Sequence, residues 1–186
     1  MNPEELKKDF DNDEAEVKSK LSNIGYRGFQ KGTSRIGQVI APIRGDGQGC
    51  EPFSWEEDFT EMELTHFEKS EGFFLLLLRG GCTFGQKVKN AQELGAELVI
   101  VSDYENEDSA AVQEAKMDNK LDGTLQSHIP AFEISWDEAK KLVEYIHLGG
   151  EKVVYIKANF DVTNSDNTVE VDLWYSTSLD LGLNLS

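Results

Sequence analysis

The chain has 186 residues, a length that suits one main domain with short appendages. Its 35 Asp and Glu outnumber its 18 Lys and Arg, for a formal charge of −17, a field that repels polyphosphate and anionic lipid. This argues against nucleic-acid binding by counterion release and against adsorption to membrane surfaces, while 39% hydrophobic and 10% aromatic residues argue against wholesale disorder.

In chain order, residues 2–21 open with Asn-Pro and place Leu6, Phe10, Val17 and Leu21 among charged residues, which reads as a solvated acidic helix. The start lacks the apolar stretch of a signal peptide, as expected of a cytosolic chain or the mature piece of an exported one. A glycine-punctuated loop over 25–32 leads into a strand over 36–41 that ends before Pro42. Residues 44–50 form a loop whose Arg-Gly-Asp is too short a match to imply adhesion, and residues 52–71 are acidic and aromatic with no clean period, hence irregular.

The longest apolar run, Phe73 to Leu78, is far shorter than the roughly 18 residues of a membrane span and reads as a buried strand. After Arg79-Gly80-Gly81, the residues Phe84, Val88, Ala91 and Leu94 recur at helical spacing, with Gly95 at the helix end. Leu98-Val99-Ile100-Val101 follows as a second apolar strand, so the unit is βαβ and its strands are parallel. A polar excursion over 103–127 precedes a strand over 129–134. Ser135-Trp136-Asp137-Glu138 is a capping box that opens a helix with Ala139, Leu142, Val143 and Ile146 on one face. Alternating strands over 153–158 and 169–174 complete the elements.

Cys82 follows two glycines near a helix N-terminus, a setting that lowers a thiol pKa, but His66, His128 and His147 sit far apart and none is singled out as its base. A bridge to Cys50 is the other use of that thiol. No EF-hand loop, HExxH, GxxxxGK[ST] or GxGxxG is present, so no metal, cofactor or catalytic residue is assigned. The diglycine frees backbone N–H groups and Arg79 adds a planar donor fork, a combination suited to binding an anionic or main-chain group, or else simply to a tight turn.

Arg79-Gly80-Gly81-Cys82-Thr83-Phe84, then Lys87, Asn90-Ala91-Gln92, Gly95-Ala96 and Val99-Ile100-Val101, resemble the core of a protease-associated (PA) domain. Gly37 to Pro42 with Cys50 upstream, and Ile129 to Ser135 downstream, extend the likeness over about residues 32–158. Asn23-Ile24-Gly25-Tyr26 and the acidic stretch from Thr168 to Thr177 resemble the luminal N-terminal domain of vacuolar sorting receptors.

That resemblance implies an α/β fold: a mixed sheet or open barrel flanked by two main helices, here with the acidic helix added. Residues 1–22 form the helical extension, 23–160 the PA-like domain, and 161–186 a C-terminal strand and tail packed on it. It also implies a Cys50–Cys82 disulfide, and hence a secretory, endomembrane-luminal or extracellular compartment. The implied function is non-catalytic protein or peptide binding in cargo sorting, with no membrane span in this chain, which is either the ectodomain piece of a longer protein tethered through C-terminal sequence or a free luminal binder. The alternative is a structural subunit docked in a larger assembly. The expected peptide site groups Arg79, Gly80, Gly81, Thr83 and Phe84 with Asp103 and Tyr104, because loops after parallel strands emerge at one sheet edge. The excess of carboxylates, with His128 as an added switch, leads to the expectation that ligand affinity changes on acidification.

Overall fold

The computed structural model describes residues 16–25, 33–43, 46–61, 63, 72–103, 127–148, 153–160 and 168–176. Seven strands, β1 (Glu16–Gly25), β2 (Thr33–Ile40), β3 (Phe73–Leu78), β4 (Leu98–Ser102), β5 (Pro130–Ile134), β6 (Val153–Phe160) and β7 (Thr168–Ser176), pair in the order β1-β5-β4-β3-β2-β6-β7. The ring closes because β7 also pairs with β1, Val17 standing opposite Val171. Strands β2, β3, β4 and β5 pair in parallel with one another, while β6, β7 and β1 are joined to them and to each other by antiparallel ladders.

The parallel pairing of β3 and β4 follows from their unbroken apolar runs, which suit strands covered on both faces. Successive side chains of these strands point to opposite sides. Phe74, Leu76, Leu98, Ile100, Phe132 and Ile134 join Val17 of β1, Val39 of β2 and Val154, Ile156, Ala158 and Phe160 of β6 in one buried cluster. Strands all round the ring can share only its interior, so this cluster fills the barrel. The helix α3 (Trp136–Leu148) adds Ala139, Leu142, Tyr145 and Ile146 to it.

The alternate residues Phe73, Leu75, Leu77, Val99 and Val101 form a second cluster outside the barrel. It is covered by Phe84, Val88 and Ala91 of the helix α2 (Phe84–Leu94) and by Phe59, which follows the one-turn helix α1 (Trp55–Asp58). Two helices of substantial length thus flank the barrel. Each carries the end signal that its sequence announced. At α3, the Ser135 hydroxyl accepts from the Glu138 N–H at 3.3 Å, and the Ser135 N–H donates to the Glu138 carboxylate at 3.2 Å. At α2, Gly95 takes φ 101°, its N–H donates to the Gln92 carbonyl and the Ala96 N–H donates to that of Ala91, a Schellman motif.

Two expectations are corrected. Residues 16–21 are strand, not helix. Val17 and Leu21 are four apart, a spacing that fits a period of two as well as a helical turn, and the ladders to β5 and β7 select the strand, with Val17 2% exposed inside the barrel. Residues 2–15 lie outside the described residues. The stretch read as irregular also holds α1 and a second capping box. There the Thr60 N–H donates to Glu63 at 2.8 Å and the Glu63 N–H donates to the Thr60 hydroxyl at 3.1 Å.

The barrel is packed tightly enough to require a glycine in β2. A Cβ on Gly37 would lie 2.5 Å from a ring carbon of Phe74, which is fully buried. Gly37→Ala is therefore expected to destabilise the fold by about 1–3 kcal/mol through overpacking, read as a melting temperature several degrees lower in a calorimetric scan.

Candidate functional site

Adjacent parallel strands end together. In register, Leu77, Val101 and Glu133 lie side by side, as do Leu78, Ser102 and Ile134, so the next residues, Arg79 and Asp103, leave the sheet at the same edge. The Asp103 N–H donates to the Ile134 carbonyl at 2.9 Å, which holds that exit in place. The Arg79 guanidinium then donates to Asp103 Oδ1 at 2.5 Å and Glu133 Oε1 at 3.2 Å, and stands 5.8 Å from the centroid of the Phe84 ring. The two acids are buried, with side chains 0% and 1% exposed, whereas Arg79 retains 21%. Ionised, the trio carries one net negative charge.

The chain turns sharply beyond Arg79. Gly80 and Gly81 have φ 113° and 70°, and the Cys82 N–H donates to the Gly80 carbonyl at 2.8 Å, a γ-turn centred on Gly81. A side chain at Gly81 would be strained and would meet Gln48 Oε1 at 2.1 Å from its Cβ. Thr83 caps α2, its hydroxyl accepting from the Gln86 N–H at 3.3 Å. Gly81 and Thr83 are exposed, Gly80 and Cys82 half-buried, and Phe84 is buried in the outer core.

A second loop, residues 46–50, is bound against this turn. Cys50 and Cys82 form the disulfide that the resemblance implies, closing a sequence separation of 32 residues. In the chain-entropy estimate such a loop stabilises by roughly 3–4 kcal/mol. Lys87, fully buried on α2, donates its ammonium to the carbonyls of Gln48 and, at 2.7 Å, Gly80. Asn90, one turn on, donates to the Gly49 carbonyl at 3.0 Å and accepts from Gln86 at 2.8 Å. The Leu78 N–H donates to the Gly47 carbonyl at 2.8 Å. Burial lowers the Lys87 pKa to about 8, with the nearby Asp46 carboxylate pulling it upward.

The structure thus brings Arg79 and Asp103 into direct contact as an ion pair. Glu97, an acid nearer to Arg79 in sequence than Asp103, lies 3.6 Å from Arg35. Tyr104 lies outside the described residues. His128 has an exposed side chain, and its N–H donates to Gln92 at 2.7 Å. Two residues that shape the site escaped the sequence-based list, though both left a trace. Glu133 is the lone acid in the run Pro130-Ala131-Phe132-Glu133-Ile134, and Lys87 falls on the buried stripe of α2 between Phe84 and Val88.

The chemistry assembled here is an exposed glycine turn with fixed backbone direction, beside a cation that faces two buried acids. Removing the guanidinium leaves those acids without it. Arg79→Ala is expected to lower stability by on the order of 3 kcal/mol and Arg79→Lys by less, as read from urea titrations. For Lys87 the pKa is lower in the folded chain than in the unfolded one. The unfolded state therefore holds more protons between about pH 8 and 10.5, and the stabilisation linked to this group is full at high pH and lost as pH falls through about 8. Relative to Lys87→Met, the wild-type chain is expected to gain about 2 kcal/mol between roughly pH 7 and 9.5, measured by paired denaturant titrations.

Comparison with known proteins gives this arrangement a context. The sequence pattern of the PA domain matches residues 36–142. Vacuolar-sorting receptor 7 of Arabidopsis thaliana is 27% identical over 188 residues, an alignment covering 98% of this chain and 26% of that protein. Vacuolar-sorting receptor 1 of Pisum sativum is 28% identical over 169 residues, covering 89% and 25%. The chain spans about a quarter of the length of these relatives. Among solved structures, an aminopeptidase from Aneurinibacillus sp. strain AM-1 superposes with a TM-score of 0.41 at 20% identity, covering 84% of this chain and 30% of that one.

Proposed function

Since this chain belongs to the PA domain family, we propose that it is a non-catalytic module that binds a peptide or protein segment, in the manner of the cargo-recognition domain of a vacuolar sorting receptor. The relatives that align with most of its length are named as receptors, and none of those names denotes an enzyme. A chain of about a quarter of their length would supply recognition, with transport left to further sequence. The disulfide supports an oxidising compartment, the endomembrane lumen or the extracellular space. Among the described residues, no helix is long and apolar enough to cross a membrane.

The observation that carries the reading is the Gly80–Thr83 rim, exposed at Gly81 and Thr83. Its backbone is held by the disulfide, by the Lys87 ammonium and by the cap of α2, so it offers main-chain groups and the Thr83 side chain without first having to be ordered. Arg79 contributes through its partly exposed guanidinium, anchored from behind by Asp103 and Glu133. That anchoring also favours a second reading for Arg79 alone, as a purely structural cation.

Screening a random-peptide library against the oxidised chain, followed by calorimetric titration of the recovered peptides, tests the proposal. Thr83→Asn keeps a good helix cap while changing the exposed side chain. It is expected to weaken binding by about fivefold or more with little change in melting temperature. Failure to recover any peptide, or equal affinity in Thr83→Asn and Gly81→Ala, would favour the docked-subunit alternative. Titration at neutral and mildly acidic pH reads the contribution of the carboxylates.

A further inference from the structure

The disulfide joins two sulfurs in unlike surroundings. Cys82 lies on the rim between exposed Gly81 and Thr83. Cys50, half-buried like Cys82, follows buried Gly49, and a Cβ on Gly81 would come within 2.9 Å of Cys50 Sγ. The Lys87 ammonium stands 3.8 Å from Cys50 Sγ, on a residue with no exposed surface, so salt screens this contact little. The clamp that binds the Gln48 and Gly80 carbonyls therefore also holds a cation against one sulfur of the bridge.

We propose that Cys82 is a thiol-acceptor site, at which an external thiolate opens the bridge by attack on Cys82 Sγ and displaces Cys50 as a thiolate paired with Lys87. This goes beyond the peptide-binding reading and does not depend on it. In the step, the incoming sulfur forms a bond to Cys82 Sγ as the Cys50–Cys82 bond breaks, and the electron pair of that bond stays on Cys50. A second thiol attacks the mixed disulfide, releases Cys82 and leaves the reagent oxidised to its own disulfide, so two electrons enter the chain. The partner is a small thiol such as glutathione or a dithiol oxidoreductase.

The direction of attack follows from which sulfur leaves more readily. Departure is faster for the thiol of lower pKa, and an ammonium at contact distance lowers the pKa of Cys50. A carboxylate also stands in this surround: the Asp46 side chain accepts from the Gln48 N–H at 2.9 Å, and its charge acts on Lys87. Opening the bridge would release the covalent tie between the 46–50 loop and the glycine turn, leaving the Lys87 and Asn90 hydrogen bonds to hold them.

The test uses the intact oxidised chain, briefly exposed to reduced glutathione at neutral pH, quenched with iodoacetamide and mapped by mass spectrometry. Glutathione on Cys82 with carbamidomethyl on Cys50 is expected in about tenfold excess over the reverse pattern. Equal labelling, the reverse pattern, or no mixed disulfide at all would overturn the assignment. A second readout is independent of any variant's folding: in the fully reduced wild-type chain, the pH dependence of Cys50 alkylation is expected to give a thiol pKa below the ordinary value of about 8.5, and a value at or above it counts against the proposal. In a third, Lys87→Arg is expected to retain the wild-type rate of reduction by dithiothreitol and Lys87→Met to slow it severalfold. Equal rates in all three chains would contradict it.

Discussion

The Lys87 ammonium is buried in the outer core of a chain that is otherwise rich in acid, and much of the rim depends on it. An ammonium removed from water is strongly destabilising unless its protons find acceptors. Here they meet the carbonyls of Gln48 and Gly80, which belong to two loops far apart in sequence. Those carbonyls face inward because of backbone conformations that glycine adopts readily: Gly47, Gly49, Gly80 and Gly81 all have positive φ. Lysine, carbonyls and glycines are therefore one device, and the disulfide fastens it covalently.

A second constraint acts at the carboxyl edge of the parallel strands. Register places Arg79 and Asp103 at neighbouring strand exits close to Glu133 of β5, so that two buried acids flank one cation. The pair of acids holds the guanidinium from the inside, while the turn that follows presents Gly81 and Thr83 outward. Rigidity and exposure are thus divided between consecutive residues of one segment. Under the proposed binding role, that division orders the rim before a ligand arrives, which reduces the entropy lost on binding.

PA domain membership fixes the architecture more firmly than the occupation, since one fold hosts many functions and its function lives in its sites. For this chain, the proposed recognition role rests on the rim and on the likeness to receptors that align with most of its residues while being about four times as long.

The βαβ unit, its parallel pairing, both main helices and their caps are legible in the amino-acid order, because these depend on local periodicity and on residues within a few positions of one another. That order also marked the Arg79–Phe84 segment through family likeness. Tertiary structure alone decided three things. It made residues 16–21 a strand, because a spacing of four satisfies both periods and only ladders to β5 and β7 choose between them. It joined Arg79 to Asp103 and Glu133, which are 24 and 54 positions away, rather than to nearer Glu97. It also drew Lys87 against the Gln48 carbonyl, 39 residues away, by burying the face of α2 on which that lysine lies. In each case the deciding partner lies across the fold, and its position follows from strand register and helix packing rather than from neighbours in sequence.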